Sequence, residues 1–345
     1  MKKRRLPIGV QTFSEISEDK LVYVDKTARI YDHVTDSGKF IFLARPRRFG
    51  KSLLCSTLAA LFAGRRELFS GLAIDSLDWE WKKHPVIHID LNPADYQGGG
   101  SRALQNRLNT VLTIVEKKYD VPAAGNDISD RFFNLIQNLA AKFNEKAAVI
   151  IDEYDKPLLD TINDREVHET LKNELRGFYG VLKSSDEHLR FALLTGVTKF
   201  SQVSIFSQLN NLKDISLNPA YCDICGITQA EMESCFEPEI ERITSENGMD
   251  RREYLDKVKR FYNGYRFSEK DLTVYNPFGL LNHFDNNGRF ETYWFATGTP
   301  MFLIKLMEAQ KMDILTLEKN EISAADFQKF HVDNMNVIAV LYQSG

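Results

Sequence analysis

Residues 40–52 read FIFLARPRRFGKS, and this stretch decides the fold. It begins with an apolar run over residues 40–43, which is typical of a buried strand. It ends in Gly50-Lys51-Ser52, directly at the start of an apolar helical pattern over Lys51–Phe62. A strand, a loop and a helix in this order are the context that a phosphate-binding loop requires. The stretch therefore predicts a nucleotide-binding α/β protein.

The end of the loop has the residue types that bind a nucleoside triphosphate. Gly50 lets the backbone approach the phosphates closely, because it has no Cβ. Lys51 is predicted to reach the β- and γ-phosphates, and the Ser52 hydroxyl to ligate Mg²⁺. The usual GxxxxGK[ST] pattern has glycine where this chain has Arg45, so we expect an altered turn there. The predicted ATP-binding residues are Arg47, Arg48, Phe49, Gly50, Lys51, Ser52 and Leu53.

Two features of the loop stay open at the sequence level. Arg47 and Arg48 add positive charge beside the polyphosphate. They either contact phosphate or lie solvated at the surface. A GKS tripeptide also occurs by coincidence at the start of ordinary helices, so the loop needs a second motif to support it.

Residues 147–155, AAVIIDEYD, supply that second motif. An apolar strand that ends in Asp-Glu places two carboxylates at the carboxyl edge of a parallel sheet. In ATPases of this pattern the first carboxylate, here Asp152, holds Mg²⁺, usually through water. The second, Glu153, polarises the attacking water as a general base. The alternative is a solvated acidic turn, and we expect Asp155 and Asp160 to be structural.

A third strand, over residues 189–195, ends in polar residues. If this strand lies between the other two, Thr195 at its tip is placed to hold the lytic water or the γ-phosphate, with Thr198 as the second choice. The alternative is that Thr195 only satisfies the backbone of the loop. Lys199 and Arg190 are candidates for a cationic finger toward a neighbouring subunit.

The remaining pattern alternates strands with helices, which predicts a mostly parallel sheet with helices on both faces. The predicted strands are residues 40–43, 86–90, 148–151, 191–194 and 214–217. The predicted helices between them are residues 51–62, 104–118, 132–143 and 171–182, with Gly98-Gly99-Gly100 as a loop. We assign residues 1–218 to this P-loop core, of the AAA+ or ASCE-like type.

Residues 219–345 read as a mainly helical second domain. Thr228 and Glu231 form a capping-box pattern, and Asn276 before Pro277 is a typical helix start. The predicted helices cover residues 228–246, 250–263, 276–286 and 300–311. The apolar residues 337–345 are either an edge strand or the start of a region cut from a longer protein.

Composition agrees with a soluble, cytoplasmic globular protein. The chain has 345 residues, 43% hydrophobic and 27% charged, with a net charge of −4. No apolar run is long enough to span a bilayer, and the basic residues 1–5 lack the apolar segment of a signal peptide. We expect these basic residues to form a frayed, solvated tail, or else a phosphate-contacting arm. Four cysteines are too few for a disulfide scaffold, and the single CxxC at Cys222 and Cys225 lacks the partners of a zinc site.

Several stretches together resemble the AAA-ATPase-like family of bacterial proteins, relatives of the STAND and archaeal-type ATPases. This family has a loop like RPRRFGKS, which accounts for Arg45. The resemblance implies an ATPase core, a helical lid or winged-helix-like region, and in many members a carboxyl-terminal PD-(D/E)XK nuclease-like domain, for which these residues show no constellation. It also gives Tyr23 two interpretations, stacking on adenine or a core or surface role. The stretches are residues 7–13, 23–27, 45–52, 151–157, 194–200, 262–265, 275–278 and 293–300.

Three functions compete on this evidence. The leading one is an ATPase that couples Mg·ATP hydrolysis to a conformational switch, because Glu153 directly follows Asp152. The second is a nucleotide-binding interaction module with little turnover, which the altered loop and the lack of a clear arginine finger favour. The third is a small-molecule kinase, for which no acceptor pocket is visible. ATP and Mg²⁺ are the predicted ligands; nucleic acid and a second copy of the chain stay open as partners, and a membrane is not expected.

Overall fold

The fold is built on a five-stranded parallel sheet in the computed structural model, which describes residues 3–36, 38–197, 206, 209 and 211–293. The order across the sheet is β2-β3-β4-β1-β5. The strand before the phosphate loop is β1 and the strand that ends in Asp152 is β3, and β4 lies between them, as predicted. The strands are β1 (Phe40–Ala44), β2 (Val86–Asp90), β3 (Ala147–Asp152), β4 (Leu189–Gly196) and β5 (Lys213–Asp214).

The fifth strand is shorter than predicted and lies one residue earlier. Lys213 and Asp214 pair with β1, but residues 216 and 217 do not continue the ladder. The reason is local, because the Ser216 hydroxyl accepts the Ala44 N–H at 2.9 Å. The Ser216 N–H in turn donates to the Asp214 carboxylate at 2.8 Å. Side chains therefore replace the strand pairing and turn the chain away from the sheet.

Helices cover both faces of the sheet, which confirms the α/β prediction. Alternate strand residues enter two hydrophobic cores: Phe42 and Ile151 pack toward α4, α5 and α7, whereas Ile41 and Ile150 pack toward α1, α2 and α3. The helices are α1 (Phe13–Glu18), α2 (Thr27–Asp36), α3 (Lys51–Phe62), α4 (Tyr96–Tyr119), α5 (Ile128–Phe143), α6 (Lys156–Asp160) and α7 (Arg165–Ser184).

Helix α4 corrects the prediction of a loop at Gly98-Gly99-Gly100. It begins at Tyr96 with a short turn that includes Gly98 and Gly99, and the backbone of Gly100 is not helical (φ 48°, ψ −133°), so a kink there joins this turn to the longer helix. The helix starts early because the Asp95 side chain caps it by accepting the Gly98 N–H. Tyr96 is fully buried, and its hydroxyl donates to the Leu91 carbonyl at 2.7 Å. The cap and this anchor outweigh the low helix propensity of glycine at Gly98 and Gly99, but not at Gly100.

Within residues 211–293, four further helices follow the sheet and enclose a third hydrophobic core. The capping box of Thr228 and Glu231 and the Asn276 cap before Pro277 are both confirmed. The single helix predicted over residues 228–246 is instead two, because Pro238 has no N–H to continue the first. Residues 300–311 and 337–345 lie outside the described residues, and the boundary at residue 218 stays a prediction. The helices are α8 (Gln229–Cys235), α9 (Glu237–Asn247), α10 (Arg251–Tyr262) and α11 (Pro277–Asp285).

Residues 3–5 are held by ion pairs to the rest of the chain. Lys3 pairs with Asp285, and Arg4 pairs with the buried carboxylate of Glu239. Arg5 also forms an ion pair, with Asp19. These ion pairs make the expectation of a frayed tail wrong for residues 3–5, whereas the phosphate-contacting arm stays a prediction. Among the helices of the described part of the chain, none is both long and apolar enough to cross a membrane.

Candidate functional site at the carboxyl edge of the sheet

The phosphate loop is shaped by two residues in the left-handed region. Gly50 (φ 89°) is the N-cap of α3, and Arg48 has φ 64°. Helix α3 therefore begins at Lys51, and the N–H groups of its first turn have no partner within the helix. Such a helix start favours the binding of an anion. The strand–loop–helix context predicted for Gly50-Lys51-Ser52 is present.

Arg45 is buried and structural. Its guanidinium donates to the carbonyls of Ala44 (2.9 Å), Ser216 (2.7 Å) and Tyr221 (3.0 Å), and it lies 4.1 Å from the ring centroid of Phe267. Burial lowers the pKa of Arg45 to about 10, and nearby thiols and carboxyl groups oppose that shift. Arg45 thus ties the start of the loop to residues 216–221 instead of facing a ligand. Cys222 and Cys225 beside it are buried free thiols.

Lys51 links the phosphate loop to the acidic strand. Its side chain is 3% exposed, and Nζ lies 3.5 Å from Glu153 Oε1. The same ammonium donates to the Pro46 carbonyl at 3.2 Å. Burial lowers the pKa of Lys51, but the carboxylates, led by Glu153 and Asp152, more than offset it, so the pKa is raised. Lys51 therefore keeps its positive charge.

Asp152 lies behind the loop, beside Ser52. It is 2% exposed, and the neighbouring Ser52 side chain favours the charged form of its carboxylate. Burial, and then the neighbouring Glu153, raise the pKa of Asp152 to about 6, while Lys51 and Ser52 oppose the shift. The hydroxyl and the carboxylate expected to hold Mg²⁺ are thus neighbours at this edge of the sheet. Hard oxygen donors of this kind suit Mg²⁺, which typically takes one or two carboxylates together with substrate phosphates.

Glu153 has an unusual backbone. Its φ of 53° lies in the left-handed region, which is uncommon for a residue with a side chain. Its N–H donates to Asp152 Oδ1 at 3.0 Å, and this contact holds the turn after β3. The strained turn carries the Glu153 carboxylate, 19% exposed, to the Lys51 ammonium. Such outliers cluster at functional sites.

An open cleft of about 640 Å³ lies over these residues, and we call it the phosphate cleft. Its walls come from the amino-terminal segment, the phosphate loop, the chain after β3 and the start of α11. The polar or glycine residues among them are Gly9, Gln11, Arg47, Arg48, Gly50, Lys51, Ser52, Asn92, Glu153, Lys156 and Asp160. Sequence reasoning had given no role to residues 7–11, although they belong to one of the stretches that carry the family resemblance.

The two loop arginines differ. Arg48 is exposed, and its guanidinium lies 3.9 Å from the ring centroid of Phe278 on α11. Arg47 lines the cleft and has no hydrogen bond or ion pair among the contacts of the described residues. Of the two, Arg47 is therefore the one whose charge is available to a phosphate. The Phe49 side chain packs in the core against Tyr265 and Phe267, so only its backbone faces the loop.

A second, apolar cavity adjoins the phosphate cleft. The two share Pro7, Gly50, Leu53, Pro277 and Leu281, so they form one continuous site. The apolar cavity is further lined by Val22, Tyr23, Val24, Lys26, Ile30, Phe49, Leu54, Phe236 and residues 224–227.

Tyr23 lines this apolar cavity and is half-buried. Burial raises the pKa of its hydroxyl, and the nearby Thr57 side chain opposes that shift. The ring packs edge-on against Phe13, with the centroids 5.3 Å apart. Tyr23 is thus both a core contact and part of the cavity wall, which leaves its predicted stacking on adenine untested.

Thr195 does not open to the phosphate cleft. It is fully buried, and its hydroxyl donates to the Leu43 carbonyl on the neighbouring strand at 2.7 Å. This contact agrees with the alternative interpretation, in which the Thr195 hydroxyl only forms a hydrogen bond with the backbone. Arg190 lies at the amino end of β4, at the opposite edge of the sheet from Lys51. Thr198 and Lys199 lie outside the described residues.

Comparison with known proteins gives the family. Residues 7–206 match the profile of the family described as "Predicted AAA-ATPase". The chain belongs to the AAA-ATPase-like family. This membership supports nucleotide binding and ATPase activity as the family's predicted properties. The matched segment includes the phosphate loop, the acidic strand and Thr195.

A curated relative extends the likeness to the whole chain. The "Uncharacterized protein in vnfD 5'region" of Azotobacter chroococcum mcd 1 is 40% identical over 351 aligned residues. The match covers 100% of this chain and 64% of the relative, so the chain spans less than two thirds of that protein's length. No solved structure matches the chain.

Proposed function

We propose that this chain binds Mg·ATP in the phosphate cleft and hydrolyses it. The observation that carries the proposal is the meeting of Lys51 with Glu153, and of Ser52 with Asp152, at the carboxyl edge of β1 and β3. In parallel α/β sheets this edge is where ligands bind. One cleft thus contains a helix start that suits an anion, a buried cation, a hydroxyl beside a carboxylate and a candidate base.

In this proposal the phosphates lie against the loop. The first-turn N–H groups of α3 and the Lys51 ammonium contact the β- and γ-phosphates, and Arg47 adds a second cation. Ser52 and Asp152 hold Mg²⁺, which neutralises charge on the phosphate oxygens when it is bound. The Lys51–Glu153 ion pair opens as the γ-phosphate takes the lysine.

We place the adenine base in the apolar cavity that adjoins the phosphate cleft. Its faces would contact Tyr23, Ile30 and Leu54, and the shared Pro7 and Leu53 would lie along the ribose. Apolar walls with a small number of polar groups are typical of such sites. Because Phe236 and Pro277 of the helical segment also line the cavity, α8–α11 act as a lid over the nucleotide. Arg48 against Phe278 is the contact between loop and lid.

Glu153 is the proposed general base. It accepts a proton from a water whose oxygen bonds to the γ-phosphorus, while the bond between that phosphorus and the β–γ bridging oxygen breaks. The electron pair leaves with ADP, and the proton passes from Glu153 to solvent or to the released phosphate. Once Lys51 is drawn to the γ-phosphate, the Glu153 carboxylate is free to act.

A second function follows from the same ion pair. If Lys51 and Glu153 stay paired after nucleotide binds, the base is never released, and the chain is a nucleotide-binding switch with little turnover. The buried Thr195 hydroxyl favours this function, because it removes one group that was expected to hold the lytic water. Turnover decides between the two functions.

The test is phosphate release from ATP with Mg²⁺ or with EDTA by wild type, Ser52→Ala and Ser56→Ala. Ser56 is a matched control one turn further along α3, where its hydroxyl donates to the Gln11 carbonyl. We expect wild type to hydrolyse ATP only when Mg²⁺ is present. Ser52→Ala should lower turnover about 100-fold, because it loses one transition-state contact. Ser56→Ala should keep turnover within about threefold of wild type. Binding of ATP without any turnover supports the switch, and turnover independent of Ser52 refutes the proposed site.

A further inference from the structure

We propose that Lys156 is a further catalytic residue, which contacts the γ-phosphate from the side of the acidic strand. The inference rests on the proposed ATPase function and adds to it the cation that other ATPases take from a separate arginine finger. Lys156 is the first residue of α6 and follows Glu153 by three positions. It lines the same phosphate cleft as Lys51 and Glu153.

A rigid turn fixes Lys156 relative to the base. The Lys156 N–H donates to the Glu153 carbonyl at 3.0 Å. Asp155, fully buried between them, accepts the Val197 N–H at 3.1 Å, which fastens the turn to the end of β4. Glu153 and Lys156 thus lie on one short, anchored segment, and both line the phosphate cleft.

Lys156 differs from the other cations of the cleft in its direction of approach. Among the described residues, four cationic side chains line the cleft, and three of them, Arg47, Arg48 and Lys51, belong to the phosphate loop. Arg48 lies over the ring of Phe278, and Lys51 is needed on the loop side of the phosphates. Lys156 therefore supplies positive charge from the wall that also carries the base.

A positive charge on that wall would stabilise the transition state of ATP hydrolysis. In the transition state the negative charge spreads over the three equatorial oxygens of the γ-phosphoryl group. Water bonds to phosphorus, its proton goes to Glu153, and the bridging oxygen leaves with ADP. Lys156 keeps its own protons throughout and donates a hydrogen bond to one equatorial oxygen. A preorganised donor at such a position is worth about 10² to 10³ in rate.

Asp160 holds Lys156 in place before the substrate arrives. The two side chains form an ion pair across one turn of α6, and both are mostly buried, 19% and 23% exposed. Both also line the cleft. The pair keeps the ammonium oriented and returns it after phosphate leaves. If the ion pair were only structural, removing Lys156 or removing Asp160 would have the same effect on stability and on ligand binding. The test therefore compares variants of the two residues.

The experiment compares ground-state and transition-state binding. Mg·AMP-PNP and Mg·ADP with aluminium fluoride are titrated into wild type, Lys156→Met, Lys156→Arg, Asp160→Asn and Lys51→Ala, and phosphate release from ATP is measured beside them. Lys172→Met is the control, because Lys172 pairs with Glu169 on α7 and does not line the cleft.

We expect Lys156→Met to lower turnover and aluminium-fluoride affinity each by about 100-fold, while AMP-PNP affinity stays within about threefold. Lys156→Arg should recover at least about a tenth of the wild-type turnover. Asp160→Asn breaks the same ion pair but leaves the cation, so it should lower the preference for aluminium fluoride over AMP-PNP by a smaller factor than Lys156→Met does.

Two results would overturn the inference. In one, Lys156→Met keeps turnover and aluminium-fluoride affinity within about threefold of wild type. In the other, Lys156→Met and Asp160→Asn lose both ligands and thermal stability to the same extent, which makes the pair structural. If either occurs while Lys51→Ala still loses AMP-PNP, only the role of Lys156 fails. If wild type binds no AMP-PNP, the proposed function fails with it.

Discussion

The tips of β3 and β4 lie side by side at one edge of the sheet, but only the tip of β3 opens to the cleft. The backbones are joined there, with the Tyr154 N–H donating to the Thr195 carbonyl at 3.0 Å. Glu153 reaches Lys51 across the cleft, whereas the Thr195 hydroxyl is fully buried against the Leu43 carbonyl. Two polar strand ends that look alike in sequence therefore have different availability to a ligand.

The difference comes from what each side chain can reach. Thr195 pairs in register with Leu43 on β1, so a backbone acceptor lies within its short reach. Glu153 lies one residue beyond β3, where the left-handed turn takes it out of the sheet. The position of a strand in the sheet thus determines where its carboxyl end lies. The local backbone then determines whether the side chain at that end can contact a ligand.

The largest expected contrast between the tips is catalytic. Glu153→Gln removes the proposed base and should lower single-turnover hydrolysis about 10²- to 10⁴-fold while ATP binding is retained. Thr195→Val removes a hydroxyl that already has a partner, so its rate per folded molecule should stay within about threefold of wild type. Quenched-flow measurement of phosphate formation checks both. Equal losses in the two variants would place Thr195 in the chemistry after all.

Asp152 should make the β3 tip sensitive to pH. Its pKa of about 6 is above the usual 3.9, because burial and Glu153 raise it against the opposition of Lys51 and Ser52, with Asp90 adding to the rise. The native state then binds more protons than the unfolded state between pH 4 and 6. Stability that is present below pH 4 is therefore lost as the pH rises through 6.

Asp152→Asn should remove this loss. In nucleotide-free buffer with EDTA at pH 7, the variant should be more stable than wild type by about 2 to 3 kcal/mol, and the two should converge below pH 4. Urea unfolding at several pH values measures the difference. A variant that is less stable than wild type at pH 7 would show that the Asp152 charge stabilises the tip.

The close approach of the two tips can be tested at Gly196. A Cβ built there would lie 2.6 Å from the Tyr154 ring and closer still to the Asp155 carboxylate. Gly196→Ala should therefore force the tips apart and destabilise the chain by about 2 kcal/mol. Gly248→Ala is a strain control with open space around its Cβ but a φ of 58°. If Gly196→Ala destabilises no more than Gly248→Ala, the tips are not tightly packed.

The smallest expected effect is on the sheet itself. Thr195→Val takes one buried donor from the Leu43 carbonyl and should lower the free energy of unfolding by about 1 kcal/mol. Thr195→Ser keeps the hydroxyl and is the matched variant for that hydrogen bond. Denaturant titration compares the two. A Val variant as stable as the Ser variant would mean that the hydrogen bond between β4 and β1 contributes little.

Much of the fold was predictable because its signals are local. Short apolar runs predicted four strands within a residue or two, and α3 has the predicted bounds Lys51–Phe62. The meeting of Lys51, Ser52, Asp152 and Glu153 was also predictable, since the carboxyl ends of parallel strands share one edge. Their catalytic and binding roles stay predictions.

The features that sequence reasoning missed depend on distant contacts. Arg45 is buried because its carbonyl acceptors at Ser216 and Tyr221 come from 171 and 176 residues further along the chain. Lys3 and Arg4 looked solvated because their partners, Asp285 and Glu239, are even more remote. No periodicity or local composition encodes such pairs. The glycines inside α4 were misjudged for the opposite reason, since propensity was given more weight than the Asp95 cap.

The most direct test of the account is calorimetric titration of Mg·ATP into wild type, Lys51→Ala and the control Lys172→Ala. The account predicts that wild type and Lys172→Ala bind with the same affinity. It predicts that Lys51→Ala loses about 10- to 100-fold, the value of a charge-assisted hydrogen bond of about 1.5 to 3 kcal/mol. A wild type that does not bind ATP, or a Lys51→Ala variant that binds it equally well, would contradict the central claim that the phosphate cleft is a nucleotide site.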